Sequence, residues 1–425
     1  MTTAARVRDH CLAPSRSTDA PRDPGERYGR LFPDLPALSI DDDALLALGV
    51  AGGICDGGSA CTDAAGASGW PLFGQFVAHD ITADRSPLAL KADPEGLRNF
   101  HAPRADLEPL YGAGPAGEPY LYSRDDPAKL LLGAAHDHPR NSEGVALIGD
   151  PRNDVHLFVA RLHTAFVRAH NGIVDRLRED GVSEHELFDE ARRATTWHYQ
   201  WILLEDFLPR IVGDAGRERR LYRPEGPATI PLEFADAAFR YGHSQIRDSY
   251  RLVEDGEALR LFPDLLGFRP NEVELDWAAL FDLPDRPCWQ PGKRIDGTLA
   301  RSLIELPLAI TGAVDVDAYH SLAARDLQRG EALGLPAGET VARALGAEPV
   351  DTGLGWEGTP LWYYVLAESD GERLGPVGAT IVGEVLRGIV ELDPESYLSV
   401  DPSWRPSLPA ANGRFGLGDL LAFAS

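Results

Sequence analysis

From Asp154 to Arg178, apolar residues fall at Val155, Val159, Leu162, Phe166, Ala169, Ile173 and Leu177. Steps of three and four place them on one stripe, which predicts a long helix that buries a single face. Ser183 followed by Glu186 has the spacing of a capping box and opens a second helix. That helix can run through ARRATTWHYQWILLEDF and is expected to stop near Pro209, because an internal proline removes a backbone bond and clashes with the preceding turn. Helical period returns in PLEFADAAFRYGHSQI, GTLARSLIELP, VDAYHSLAARDLQRGEALG and VGATIVGEVLRGIV. The stretches between them are rich in Pro, Gly and Asp and read as loops, and alternating β patterns are scarce. The expectation is a mainly α protein. Residues 31–425 form one large helical domain with long loops and little β, behind a flexible or wrapping arm over residues 1–30. Two helical subdomains around a shared cleft are the alternative. Residues 51–70 are small and glycine-rich, a loop suited to lying against other backbone.

Charge narrows the partners. Lys+Arg is 41 against Asp+Glu 66, a formal charge of -25, and such a surface repels nucleic acid and anionic lipid. No apolar run approaches the roughly 18 to 20 residues of a bilayer crossing. MTTAARVRDHCLAPSRS lacks the apolar core of a secretory signal. Cys11, Cys55, Cys61 and Cys288 make no disulfide framework in so long a chain, and free thiols are expected even for the close pair Cys55 and Cys61. A cytoplasmic enzyme is the resulting expectation. The oligomeric state is not written in the sequence.

Three histidine-bearing segments can carry chemistry. In GQFVAHDIT, Gln75 and His79 are four apart and share a helix face, while Asp80 is rotated by about 100°. In LIGDPRNDVHLFVARLHTAFVRAHN, Arg152 stands where a long helix begins, so backbone N–H groups and a guanidinium could together stabilise negative charge. His156, His163 and His170 recur every seven residues, but two turns separate them by roughly 10 Å, too far for one ion. They read as packing or hydrogen-bonding residues. In AFRYGHSQI, Gly242 before His243 lets a large flat group approach the backbone, and Arg240 lies one turn earlier on the same side. A histidine able to ligate iron, with an arginine for an anionic edge, is what a haem site requires. His136 and His138 in AAHDHPRN read as a solvated loop, and the tryptophans as core or cofactor-packing residues.

Taken in order, these segments resemble the animal-type haem peroxidases, the superfamily that includes the peroxidasins and cyclooxygenases. The likeness runs from Gln75–Asp80 through Gly149-Asp150-Pro151-Arg152, His163-Thr164 to His170-Asn171, and Arg240–His243. Arg325–Gly330, Gly334-Leu335-Pro336 and the terminal GPVGATIVGEVLRGIVELDPESYL extend it, so that it covers roughly residues 35 to 400. The resemblance implies a haem b with His243 as proximal ligand and Arg240 paired with a propionate. It implies a distal pair, His79 and Arg152, with Gln75 bonded to water or an anion. It further implies that hydrogen peroxide is reduced, and an organic or halide donor oxidised, through ferryl intermediates, a chemistry associated with oxidative stress. Asp80, with Asp106 and Glu108, resembles the family's calcium site, although Ala102 stands where a Thr oxygen is expected.

The departures from the family pattern carry their own expectations. Positions that in the mammalian enzymes form ester links to haem are here Ala78 and Val155, which implies non-covalent haem and easier donors such as phenols, iodide or a metabolite. Glu339 falls where an Asn or Gln supports the proximal histidine, and either accepts the imidazole N–H or is solvated. The oxygenase branch carries a Tyr three residues before its proximal histidine; that position is Arg240, with Tyr241 one residue off. A haem dioxygenase or tailoring oxidase of a metabolite or fatty acid is therefore the second reading, a radical on Tyr241, Trp197 or Trp201 staying open. A non-catalytic haem binder is the third.

Overall fold

The computed structural model describes residues 28–58, 62–83, 99–134, 137–214, 221–266, 274–314 and 316–425. Most of the expected N-terminal arm, residues 1–27, along with Cys11, Cys61 and His136, lies outside them. The last arm residues are tied down. Gly29 bridges to Pro231, and Arg30 donates to the Leu333 carbonyl at 2.5 Å.

The described residues are mainly helical, with β structure confined to two small antiparallel pairs. One joins β1 (Asp63–Ala67) to β4 (Pro291–Lys293), and the other joins β2 (Ser249–Arg251) to β3 (Ala258–Arg260). Six helices position the site: α1 (Asp42–Gly49), α2 (Trp70–Ile81), α3 (Leu157–Glu179), α4 (Leu187–Trp201), α5 (Leu322–Ala332) and α6 (Pro376–Glu391). Helix α2 starts with Pro71 in its first turn, where the missing N–H costs nothing. Its Phe73 and Phe76 join Phe166 of α3, Tyr199 of α4 and Phe207 in one aromatic cluster, with Phe76 stacked on Phe166 at 5.1 Å and Phe73 edge-on to Phe207 at 5.3 Å. Offset and edge contacts of this kind add to area burial. They fix α2 against α3, and thereby the histidine that α2 carries.

Three helical expectations need correction. The long helix begins at Leu157, not Asp154. Asp150 caps a separate 3₁₀ turn, Pro151–Asp154, and His156 is extended between the two. The second helix begins at Leu187 instead of Ser183, and it continues past Pro209. A π-turn, Ile202–Phe207, precedes a short helix, Leu208–Val212, so that Pro209 falls in a first turn and loses no needed bond. PLEFADAAFRYGHSQI is not one helix. It is a single turn, Leu232–Ala235, followed by the 3₁₀ segment Ala238–Gln245, in which residues three apart eclipse.

Helix α5 is seated by contact with α1. A Cβ at Gly49 would lie 2.4 Å from the Ala324 nitrogen and 2.7 Å from its Cα, backbone that cannot swing aside. Gly49→Ala is expected to destabilise the fold by about 1–3 kcal/mol, read as a lowered denaturation midpoint. An unchanged midpoint would mean that the two helices can separate without cost.

Candidate active site

One cavity, about 1610 Å³ counting its mouth, is walled by α2 on one side and the 3₁₀ segment on the other. Gln75, His79, Arg152 and His156 line it together with Arg240 and His243. The two ends of the sequence motif pattern therefore meet across one space. Ala78 and Val155 also line it, and no Asp or Glu does so among the described residues.

His79 is 5% exposed, and its Nδ1 lies 2.8 Å from Asn153 Oδ1. Asn153 Nδ2 in turn donates to His163 Nδ1 at 3.1 Å. In this amide orientation Asn153 Oδ1 is an acceptor, and His79 carries its proton on Nδ1. Nε2 of His79 is left as the basic nitrogen. Gln75 Oε1 accepts from His156 Nε2 at 2.8 Å, which leaves the Gln75 amide N–H groups as donors.

Arg152 is held from several sides. Its Nε and Nη2 donate to the Asp150 carboxylate at 3.0 and 2.6 Å, and Nη2 also reaches the His79 carbonyl at 2.9 Å and the Thr82 carbonyl. The expectation that a helix N-terminus shares this charge fails, because Arg152 sits in the 3₁₀ turn ahead of the helix. Asp150 is the counterion. Burial works against its carboxylate, but Arg152 and the His101 hydrogen bond, 2.8 Å from Nε2, overcome this and hold it well below the usual range. His101 also lies 3.0 Å from Glu108. Burial pulls its pKa down, yet the two carboxylates raise it to about 9.

On the opposite wall, His243 Nδ1 donates to Asp326 Oδ2 at 2.6 Å. Arg240 braces that carboxylate through Nη1 at 3.2 Å and also binds Asp236 at 3.1 Å and the Ala235 carbonyl. Arg329 meets Asp236 at 3.3 Å. Glu339 is not the partner of His243: its carboxylate accepts from the Thr359 nitrogen at 2.9 Å and hydroxyl at 2.6 Å. The nearest neighbour of a Cβ at Gly242 would be Pro71 at 3.7 Å, so protein packing does not impose that glycine.

Away from the cavity, Asp80 is buried with neither oxygen hydrogen-bonded. Burial, then the nearby Asp106, pushes its carboxyl well above the usual range, and burial with Glu108 raises Asp106 to about 6. An orphaned carboxylate beside a second one suits a bound cation. Glu108 does not join them, because it is turned to His101 and the Ala102 nitrogen. No group of three or more acidic, His or Cys side chains could hold a metal among the described residues. Calcium's six to eight oxygens would have to include carbonyls or water.

Three further histidines have structural partners. His163 bonds Asn153, and His170 lies between the Tyr111 hydroxyl at 3.1 Å and the Ala128 carbonyl at 2.9 Å. His138 is not solvated; it is 2% exposed and edge-on to His163 at 4.7 Å. Cys55 is a buried free thiol. No helix among the described residues is long and apolar enough to cross a membrane.

Burial lowers His138, His156, His170 and His198 to about 4 and His163 well below its ordinary value. The unfolded chain therefore binds more protons at these five sites between pH 6.5 and 4, and stability falls with pH. Asp80, Asp106 and Glu368, all raised mainly by burial, oppose this with up to three protons taken up by the fold. The five imidazoles outweigh these acids, so stability is expected to fall from pH 6 to pH 5. Urea denaturation in metal-free buffer at the two pH values measures it, and stability that rises on acidification would contradict it.

The family model described as Animal haem peroxidase matches residues 91–353, more than half of the chain. The chain belongs to the animal haem peroxidase family. Among curated relatives, rat thyroid peroxidase is 26% identical over 374 residues, covering 71% of this chain and 39% of that protein. The human probable oxidoreductase PXDNL is 31% identical over 169 residues, 38% of this chain and 11% of its own length. Peroxidase skpo-1 of Caenorhabditis elegans is 26% identical over 227 residues, 43% and 34% of the two chains. These peroxidase relatives are thus much longer than the stretch they share. Among solved structures, peroxidase A from Dictyostelium discoideum superposes with a TM-score of 0.65 at 17% identity, covering 90% of this chain and 91% of that one. Fatty acid alpha-dioxygenase from Oryza sativa gives 0.59 at 15% identity, covering 84% and 73%. Both share the helical fold of this haem peroxidase family member.

Several residues of the site escape the sequence reading: Asn153, His101 and Asp326 as partners, and Arg325 on the cavity wall. Asp150 stood in the quoted motif without a role. For Asp326 a signal existed, since it lies in the Arg325–Gly330 segment of the family pattern, ahead of the Gly-Leu-Pro.

Proposed function

We propose that this protein is a haem peroxidase that binds haem b without a covalent link and reduces hydrogen peroxide at the expense of a small-molecule donor. The observation that carries this is one cavity with His243 on one wall, His79, Gln75 and Arg152 on the other, and no carboxylate in its lining among the described residues. In a chain of charge -25, a cavity that presents Arg240 and Arg329, with no acid in its lining among the described residues, suits a dianionic cofactor. His243 would ligate the iron through Nε2, since Asp326 occupies Nδ1, and a carboxylate partner makes the imidazole a stronger donor. Arg240 and Arg329 would meet the propionates. Ala78 and Val155 offer no group for an ester.

Bound haem would supply the iron and redox equivalents that peroxide cleavage needs. The protein's part is proton handling. His79 Nε2 can take a proton from the near peroxide oxygen and return it to the far one, because Asn153 keeps the other nitrogen protonated. Arg152, a permanent cation locked by Asp150 and two carbonyls, stabilises the negative charge that develops between those oxygens. The Gln75 amide N–H groups orient peroxide or water. Asp80 and Asp106 would hold calcium through their carboxylates, with Glu108 outside the ligand set.

His243→Ala is expected to lose the histidine-ligated Soret band of hemin-loaded protein and peroxidase turnover together. Added imidazole should restore part of both. An unaltered spectrum would refute the ligand assignment.

A further inference from the structure

Four arginines line the cavity, and three of them are neutralised by the protein: Arg152 by Asp150, Arg240 by Asp236 and Asp326, and Arg329 by Asp236. Arg325 differs. It is 6% exposed, its Nε donates to the Tyr319 carbonyl at 2.6 Å, and its Nη2 is buried with no partner. No carboxylate pairs with it among the described residues. A buried guanidinium without a counterion is costly, and an anion that enters the cavity relieves that cost. The lining beside it is apolar: Leu303, Leu306, Ile310 and Leu322. Next to Ile310 the short helix Leu308–Thr311 leaves Leu308 69% exposed, so apolar surface continues outward from this end of the cavity.

We propose that Arg325 is a specificity-determining residue that binds the carboxylate of the oxidised donor, a small monocarboxylic acid whose apolar body lies along Leu303, Leu306, Ile310 and Leu322. The inference rests on the peroxidase reading of the same cavity. Its chemistry is that of a charge-assisted hydrogen bond at a largely buried cation, where an uncharged isostere leaves the guanidinium unpaired. The Tyr319 carbonyl holds Nε, which fixes the guanidinium on the cavity wall.

The test compares 3-(4-hydroxyphenyl)propionate with 3-(4-hydroxyphenyl)propan-1-ol, which carry the same phenol but differ in charge at the far end. In hemin-loaded wild type, the acid is expected to have a KM at least about tenfold below that of the alcohol. Arg325→Gln should bring the two within about twofold while leaving turnover of the alcohol unchanged. Equal KM values in wild type, or a preference that survives Arg325→Gln, would overturn the proposal. A haem propionate is the other source of a carboxylate, and hemin titration of the apoprotein separates the two. Unchanged hemin affinity in Arg325→Gln supports the donor, whereas about tenfold weaker binding assigns Arg325 to the cofactor and overturns it. If wild type takes up no hemin, the peroxidase reading itself fails. Calorimetric titration of the apoprotein with the acid and the alcohol then still decides whether Arg325 binds a carboxylate.

Discussion

His79→Ala is expected to lower kcat/KM for hydrogen peroxide by about 10³-fold, the scale of a lost general acid–base group, with hemin binding through His243 retained. The size of the effect follows from how the ring is held. Asn153 Oδ1 accepts from Nδ1 at 2.8 Å, while its Nδ2 donates to His163. This tautomer faces the cavity, and among the described residues of that wall Gln75 and His156 are bonded to each other and Arg152 is bound to Asp150. Stopped-flow reaction with peroxide measures the loss directly. A decrease of less than tenfold would remove His79 from the proton path.

The second large effect concerns stability. Asp150→Ala is expected to cost about 3–5 kcal/mol, because Arg152 would remain buried without a counterion and His101 would keep only Glu108. Urea denaturation at neutral pH reads this out, and Asp150→Asn, which keeps a hydrogen-bond acceptor, is expected to lose less. Any folded Asp150→Ala protein should also react slowly with peroxide, since the Arg152 guanidinium loses the anchor that fixes its position. Wild-type stability in Asp150→Ala would mean that water reaches the pair and screens it.

The two effects meet at Asp150, whose place in the quoted Gly-Asp-x-Arg segment was visible while its role was not. The reason is distance along the chain. Its second partner, His101, is 49 residues away, and no local spacing links them. The same holds at the proximal wall. The sequence leaves Glu339 open as either a carboxylate for His243 or a solvated one, but the helix register of α5 puts Asp326 at the histidine, 83 residues away. The α2 face behaved differently. Gln75 and His79 are one turn apart, so a helix delivers both to the same side whatever packs around it.

Periodicity and composition were enough to establish a mainly helical chain, its amphipathic faces and which of its histidines share a face, because those depend on bonds and rotations within a few residues. Which carboxylate meets which imidazole, why Arg152 is neutralised while Arg325 is not, and where Asp80 loses its hydrogen bonds were decided only by tertiary packing. Burial is what gives those pairings their strength, and burial is a property of chain segments brought together from far apart.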